Sequence, residues 1–239
     1  MTTLLAFDTA TERMSIALTQ DERVWSHESA GGAQASAALI PAILSVLADA
    51  GITLAQVDAI AFGRGPGAFT GLRTACSVAQ GLAFGANKPV LPVDTLLTVA
   101  EDARDGDAAQ SVWVVMDARM NEIYAAHYHY ADGHWTTLAA PFLTQVEPLN
   151  QRWDAAPPTI VAGSALGAFA DLRTHDARQV PDASPHARAM LPIAMAMWRE
   201  GGAVDAALAI PLYVRDKVAQ TTAEREAARI AKEHAEAAR

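Results

Sequence analysis

The chain has 239 residues, of which 51% are hydrophobic, with 15 glycines and 12 prolines; this composition excludes a disordered polymer and allows one large core or two modest ones. Lysine and arginine number 18 against 27 acidic residues, a net charge of −9, which makes for a poor stand-alone grip on a polyphosphate backbone. Cys76 is the single cysteine, so no intrachain disulfide can form. With no basic leader at the N-terminus and with apolar stretches interrupted by Pro or Gly, the expectation is a cytoplasmic chain without a membrane span.

In chain order, Thr3–Asp8 reads as a strand ending on an acid, Thr9–Arg13 as a hairpin turn and Met14–Thr19 as the returning strand, with a third strand near Arg23–Glu28. Ala37–Ala50 has helical spacing, with Leu39, Ile40, Ile43, Leu44 and Leu47 on one side and Gly51 as a stop. Pro41 fits this helix only in its first turn or at a kink. Val57–Phe62 is a strand, followed by a glycine-rich loop over 63–69 and a helix from Thr70 to Phe84 that Gly85 ends. Cys76 falls in the apolar pattern of that helix and reads as a buried structural thiol. Val90–Val93 with Asp94 is another strand ending on an acid, and Thr95–Ala103 is helical.

The polar stretch Arg104–Gln110 marks a boundary, after which the opening theme returns. Val112–Asp117 repeats the apolar run closed by Asp, Arg119–Glu122 repeats the polar turn, and Ile123–Tyr130 repeats the returning strand. The strand–Gly–helix step Thr159–Gly163 into Ala165–Leu172 echoes the step at Gly63. This order reads as a duplicated hairpin-led α/β unit, with lobes at 1–103 and 104–216. Ala187–Glu200 is a further helix, and 217–239 reads as a charged helical tail opened by a capping-box spacing at Thr221 and Glu224.

Glycines between a strand and a helix, as in Gly63-Arg64-Gly65-Pro66-Gly67-Ala68-Phe69, allow either an anion site at the helix start or a tight turn packed closely against other backbone. A P-loop is excluded because the required Gly-Lys-Ser/Thr is missing; the pattern G-x-G-x-x-A is present, with Asp94 in the place of a ribose-binding acid, but Pro66 intrudes on the turn. Gly71, Ala75, Ala79 and Ala83 make a stripe of small residues, suited to packing on the chain's own sheet or to a helix pairing with another subunit. Asp8 and Asp117 are either acids able to orient a metal-bound water or hairpin caps. His127 and His129 face one side of a strand with no third ligand spacing, and neither His-Glu-x-x-His nor Gly-x-Ser-x-Gly occurs.

Leu5–Thr11, the block Gly63–Arg73, Met116–Tyr124 and Pro211-Leu212-Tyr213-Val214-Arg215 together resemble the TsaB family, formerly YeaZ, over about positions 2–216. The resemblance implies a two-lobed, actin-like ATPase (ASKHA) α/β fold and kinship with TsaD, the transferase that threonylcarbamoylates tRNA adenosine. It implies a non-catalytic subunit that pairs with TsaD through two helices of the first lobe, with the P-loop ATPase TsaE joining. TsaC or its longer relative supplies threonylcarbamoyl-adenylate, and tRNA is reached only through the complex. No cofactor of its own is expected, ATP entering at the level of the complex, and a homodimer through the same helices is an alternative pairing. The His-x-x-x-His metal pair of TsaD-type enzymes is missing, and Ala35-Ser36 stand where the family often has His-Ser.

On this reading the contacts to a partner fall to Leu39, Ile43, Leu47, Gly71, Leu72, Arg73, Ala75, Val78 and Ala79, and a nucleotide-sized cleft is bordered by Asp8, Gly65, Gly67 and Thr70. No catalytic or metal-ligating residue is expected. The rival readings are an actin-fold ATPase or small-molecule kinase working through Asp8 and the glycine loop, and the protease label once attached to the wider family.

Overall fold

The computed structural model describes residues 2–215; the tail expected at 217–239 lies outside them. Two five-stranded mixed sheets are built to one plan. In the first, β1 (Thr3–Asp8), β2 (Arg13–Gln20), β3 (Arg23–Ala30), β4 (Ala59–Gly65) and β5 (Val90–Asp94) run in the order β3-β2-β1-β4-β5. In the second, β6 (Gln110–Asp117), β7 (Ile123–Ala131), β8 (His134–Thr144), β9 (Ile160–Ala162) and β10 (Arg178–Val180) run β8-β7-β6-β9-β10. Each sheet opens with two antiparallel pairs and then adds two parallel strands. The repeated apolar-run-then-Asp thus marks the equivalent central strands β1 and β6.

Six α-helices among the described residues follow the same repetition. α1 (Ala35–Asp49) and α4 (Val146–Ala155) lie between the third and fourth strands of their sheets, and α2 (Phe69–Ala86) and the single turn α5 (Ala165–Ala168) lie between the fourth and fifth. α3 (Thr95–Asp102) and α6 (Ala187–Arg199) follow the fifth strands. Alternation along β1 gives each sheet two apolar faces. Leu5 and Phe7 join Leu39, Ile43, Ala75 and Ala79 of α1 and α2 on the outer face. Leu4 and Ala6 meet Met190, Leu191 and Ala194 of α6 on the inner face. α3 in turn covers the inner face of the second sheet, where Leu96, Val99 and Ala100 pack on Val112, Val114 and Tyr128. The last helix of each half is therefore exchanged onto the other half's sheet, and a cut at 103/104 separates the sheets but not their cores.

Several elements depart from the sequence expectation. α2 runs through Gly85 and stops at Asn87, which takes a left-handed φ of 53° as its cap, because a short polar side chain tolerates that region nearly as well as glycine. α1 begins two residues earlier than expected and carries Pro41 in its interior. α5 is one turn rather than Ala165–Leu172. The long edge strand β8, helix α4 and the short β10 have no counterpart in the sequence reading; β8 is mostly half-exposed, so its alternation is weak. The window Gly32–Asp49 is long and apolar enough to cross a membrane, contrary to the expectation of interrupted stretches, and only 28% of it is buried. One side of it is core; the other is an apolar surface.

Candidate functional site

The two equivalent hairpin turns, Thr9–Glu12 and Ala118–Glu122, face each other across a cleft between the lobes. The cavity there measures about 440 Å³ and is lined by Thr11, Glu12, Arg13, Asp117, Arg119 and Ser164 among its polar residues, with Gly67, Ala68, Met116 and Tyr124 among the rest. Asp8 and Asp117 play one local role. Asp8 Oδ1 accepts the Ala10 N–H at 2.7 Å, and Asp117 Oδ1 accepts the Arg119 N–H at 2.8 Å. Each carboxylate closes its own turn two residues on, as short acidic side chains do at turns.

The fold class implies a nucleotide and magnesium in such a cleft, and the residues present do not fit them. Asp8 is 1% exposed; its second oxygen accepts the Thr95 hydroxyl at 3.2 Å, and a Cβ on Gly63 would overlap that carboxylate. Burial pushes the Asp8 carboxyl up to about 6, against the opposing pull of the Ala10 N–H, the Thr95 hydroxyl and His186. Two amides at the cavity are already committed: Arg13 N–H to the Thr11 hydroxyl at 3.2 Å and Asp117 N–H to Ser164 Oγ at 3.2 Å. Glu12 and Asp117 bring negative charge into the cavity, each within 4 Å of Arg119.

The glycine loop resolves as the tight turn. The Thr9 hydroxyl donates to the Gly71 carbonyl at 2.8 Å and the Ala68 N–H to the Ala10 carbonyl at 2.8 Å. A Cβ on Gly67 would come within 2.6 Å of the Ala10 carbonyl, and one on Gly71 would overlap that of Thr9. The glycines let backbone lie on backbone. Of the four expected cleft residues only Gly67 lines the cavity: Asp8 is sealed, Gly65 lies beneath the Leu212 carbonyl, and Thr70 points to a different groove. Asp94, the would-be ribose acid, is ion-paired with Arg64 at 2.5 Å.

Residues 211–215 have a role that sequence reasoning recognised only as a signature. The Leu212 N–H donates to the Arg64 carbonyl at 2.7 Å, tying this strap to the first lobe. Arg215 donates to the Ala118 carbonyl at 2.8 Å and pairs with Glu122 at 2.7 Å, tying it to the second. Between these last two partners, Arg119, Met120 and Asn121 take φ values of 62°, 57° and 59°, a run of left-handed residues that costs roughly 1–2 kcal/mol at each. Arg215→Ala removes the ties on both sides of the strained turn. It is expected to lower stability by about 2 kcal/mol in urea unfolding, with faster amide exchange confined to 118–122.

Residues expected at a partner interface divide by burial. Leu39, Ile43, Leu47, Gly71, Leu72, Ala75 and Ala79 are in the core, which corrects the expectation that they touch a partner; a bulky residue at Ala75 would disrupt folding first. Arg73 is exposed and Val78 half-buried. What the two helices turn outward is Ile40 (43% exposed), Leu44 (55%) and Phe84 (64%), and Ala37, Ala48, Ser77 and Gly81 of the same helices are exposed as well. The only charged residues in the two helices are Asp49 and Arg73. Both faces of α2 are built from small residues, so spacing alone could not tell which one the sheet takes.

The remaining candidates are structural. Cys76 is buried, its thiol donating to the Ala209 carbonyl at 2.5 Å, and burial raises its pKa. His127 stacks on Trp113 at 4.5 Å, and burial, before the Arg152 charge, lowers its pKa to about 4; His129 hydrogen-bonds Ser111 at 2.8 Å. Among the described residues no three His, Cys, Asp or Glu side chains gather as a metal site.

Comparison with known proteins agrees with this architecture. Residues 22–223 match the family model described as TsaD, tRNA N6-adenosine threonylcarbamoyltransferase. The chain is 35% identical to the tRNA threonylcarbamoyladenosine biosynthesis protein TsaB of Escherichia coli K12, over 90% of this chain and 96% of the relative. It is 47% identical to the protein of the same name from Haemophilus influenzae, over 51% of this chain and 52% of that one. Among solved structures, YeaZ from Pseudomonas aeruginosa superposes with a TM-score of 0.81 at 38% identity, covering 89% of this chain and all of that one. A second P. aeruginosa structure, described as having similarity to peptidase YEAZ, gives 0.82 at 38% identity over 90% and 100%. The two-lobed actin-like fold is shared with these structures over 89–90% of this chain, and the chain belongs to the TsaB family.

Proposed function

We propose that this chain is a non-catalytic subunit for threonylcarbamoylation of tRNA adenosine, acting in the cytoplasm by pairing with and activating a TsaD-type transferase. The observation that carries the reading is the outward face of α1 and α2, where Ile40, Leu44 and Phe84 stand exposed among small uncharged residues. An apolar face of this kind marks an interaction surface. The sealed Asp8 supports a subunit without turnover, since the acid an actin-fold ATPase would use is closed off from the cleft. No nucleotide is held by this chain alone; ATP and TsaE enter at the level of the complex. The tail holds five basic and five acidic residues over 216–239, so the body carries 13 basic and 22 acidic residues and the whole net charge of −9. That balance supports contact with tRNA through partner subunits only.

The test is size-exclusion chromatography of the purified chain mixed with TsaD from the same organism at micromolar concentration. Co-elution is expected, and separate elution counts against the reading. Leu44→Asp places a charge in the centre of the face and is expected to weaken pairing at least tenfold, while its urea midpoint stays within about 0.5 kcal/mol of wild type. The same face can also seat a second copy of the chain, and sedimentation of the chain alone, with and without Leu44→Asp, separates the two pairings.

A further inference from the structure

Beside the apolar face, at the end where α1 and α2 begin, a second groove of about 440 Å³ is lined by Ser36, Phe69, Thr70, Arg73, Thr74, Ser77 and Val78. Its chemistry differs from that of its surroundings: four hydroxyls and one guanidinium. Arg73 is held in place there. Its guanidinium carbon lies 3.8 Å from the Phe69 ring centroid, its Nε–H donates to the Tyr213 hydroxyl at 3.1 Å, and the Phe69 and Tyr213 rings sit 5.3 Å apart. Stacking on one ring and bonding to another fixes the plane of the guanidinium, and among the described residues neither terminal nitrogen has a hydrogen-bond partner. Among the described residues no carboxylate lies within ion-pair distance of Arg73. Arg13, Arg64, Arg104, Arg119, Arg173 and Arg215 are paired with carboxylates, whereas among the described residues Arg23, Arg152, Arg178, Arg188 and Arg199 share with Arg73 the lack of such a partner.

We propose that this groove is a receptor for an acidic side chain of the docking partner, with Arg73 gripping a carboxylate through both terminal nitrogens and Thr70 and Ser77 lining its seat. The occupant follows from charge: the groove offers a fixed cation and the hydroxyls of Ser36, Thr70 and Ser77, that of Thr74 being donated to the Thr70 carbonyl, and α2, which carries Arg73, has no acid to satisfy them. The apolar face supplies adhesion, and the Arg73 groove supplies register, since one directional ion pair selects among the ways two smooth helix faces can slide. The strap contributes through Tyr213, so the segment that joins the lobes also presents the recognition group.

This rests on the pairing proposed above and is tested so that the two can fail separately. Affinity for TsaD is measured at 50 and 300 mM NaCl for wild type, Arg73→Ala, Arg73→Lys, Arg73→Glu and Tyr213→Phe, with urea midpoints as the folding control. Wild-type affinity is expected to fall with salt. Arg73→Ala is expected to weaken binding about tenfold at low salt and to lose that salt dependence, Arg73→Lys to recover part of it, and Arg73→Glu to weaken it further. If wild type pairs and Arg73→Ala pairs equally well with the same salt dependence, the groove is not a recognition site and the pairing stands. If Tyr213→Phe reproduces the loss while Arg73→Ala keeps the salt dependence, Arg73 acts only by anchoring the strap, and the proposal falls. Binding of inorganic phosphate at the groove with pairing indifferent to Arg73 would make it a small-anion site instead. No wild-type pairing at all removes both readings.

Discussion

Gly71→Ala is expected to destabilise the protein by about 3 kcal/mol, whereas Gly81→Ala, ten residues on in the same helix, stabilises it by about 0.5–1 kcal/mol. At Gly71 even a single methyl would overlap the Thr9 carbonyl. The obstacle is backbone held from two sides, by the Thr9 hydroxyl on the Gly71 carbonyl and by the β1–β2 pairing, so the methyl can be accommodated only by moving the helix off the hairpin turn. Overpacking against immobile backbone reaches the upper end of the usual range. At Gly81 nothing lies within 4 Å and the position is exposed in a helix interior, where alanine restores helix propensity and restricts the unfolded chain. Urea midpoints at constant m-value check both. A tolerated Gly71→Ala would show that the glycine block is not held by backbone contact.

Asp8→Asn is expected to raise stability at pH 7.5 by up to about 3 kcal/mol and to remove a pH dependence that the wild type shows in mild acid. The folded-state carboxyl is pushed up to about 6, well above the ordinary 3.8 of an aspartate, chiefly because burial penalises the charge. Between about pH 4 and pH 6 the native state therefore holds more protons than the unfolded one, and stability falls as pH rises through that window and stays reduced above it. That difference in proton affinity between the folded and unfolded states corresponds to roughly 3 kcal/mol. Asparagine keeps the acceptor for the Ala10 N–H and presents an amide donor to Thr95 Oγ1, so the turn survives without the buried charge. Urea unfolding at pH 4 and 7.5 measures the slope. An ATPase or kinase working through Asp8 predicts the opposite pattern: measurable ATP turnover in the wild type, abolished by Asp8→Asn.

The sequence carried the order of strands and their repetition because both depend on local signals. Apolar runs ended by Asp8 and Asp117 and followed by polar turns are readable one after another, and their recurrence announces two equivalent sheets. Elements with weak local signals were lost: β8, lying at an edge and mostly half-exposed, alternates poorly, α4 buries only Leu149, Asn150 and Trp153 and so has sparse apolar spacing, and β10 is three residues long. The strap at 211–215 was visible as a pattern, but its role was not, because Arg64, Ala118 and Glu122 are brought to it from distant parts of the chain.

The sequence by itself determined the duplicated α/β plan, the backbone conformations that glycine permits between β4 and α2, and the excess of acid in the body; these follow from side-chain size, periodicity and charge, which are properties of neighbouring residues. Tertiary structure alone decided that Asp8 is sealed, that α3 and α6 exchange sheets, and that Ile40, Leu44, Phe84 and Arg73 face outward while Leu39, Ile43 and Ala75 do not. The reason is that α1 is apolar nearly all round and α2 carries small residues on both its buried and its exposed side. For such helices the buried face is chosen by what packs against them, and that surface is assembled only when the chain folds.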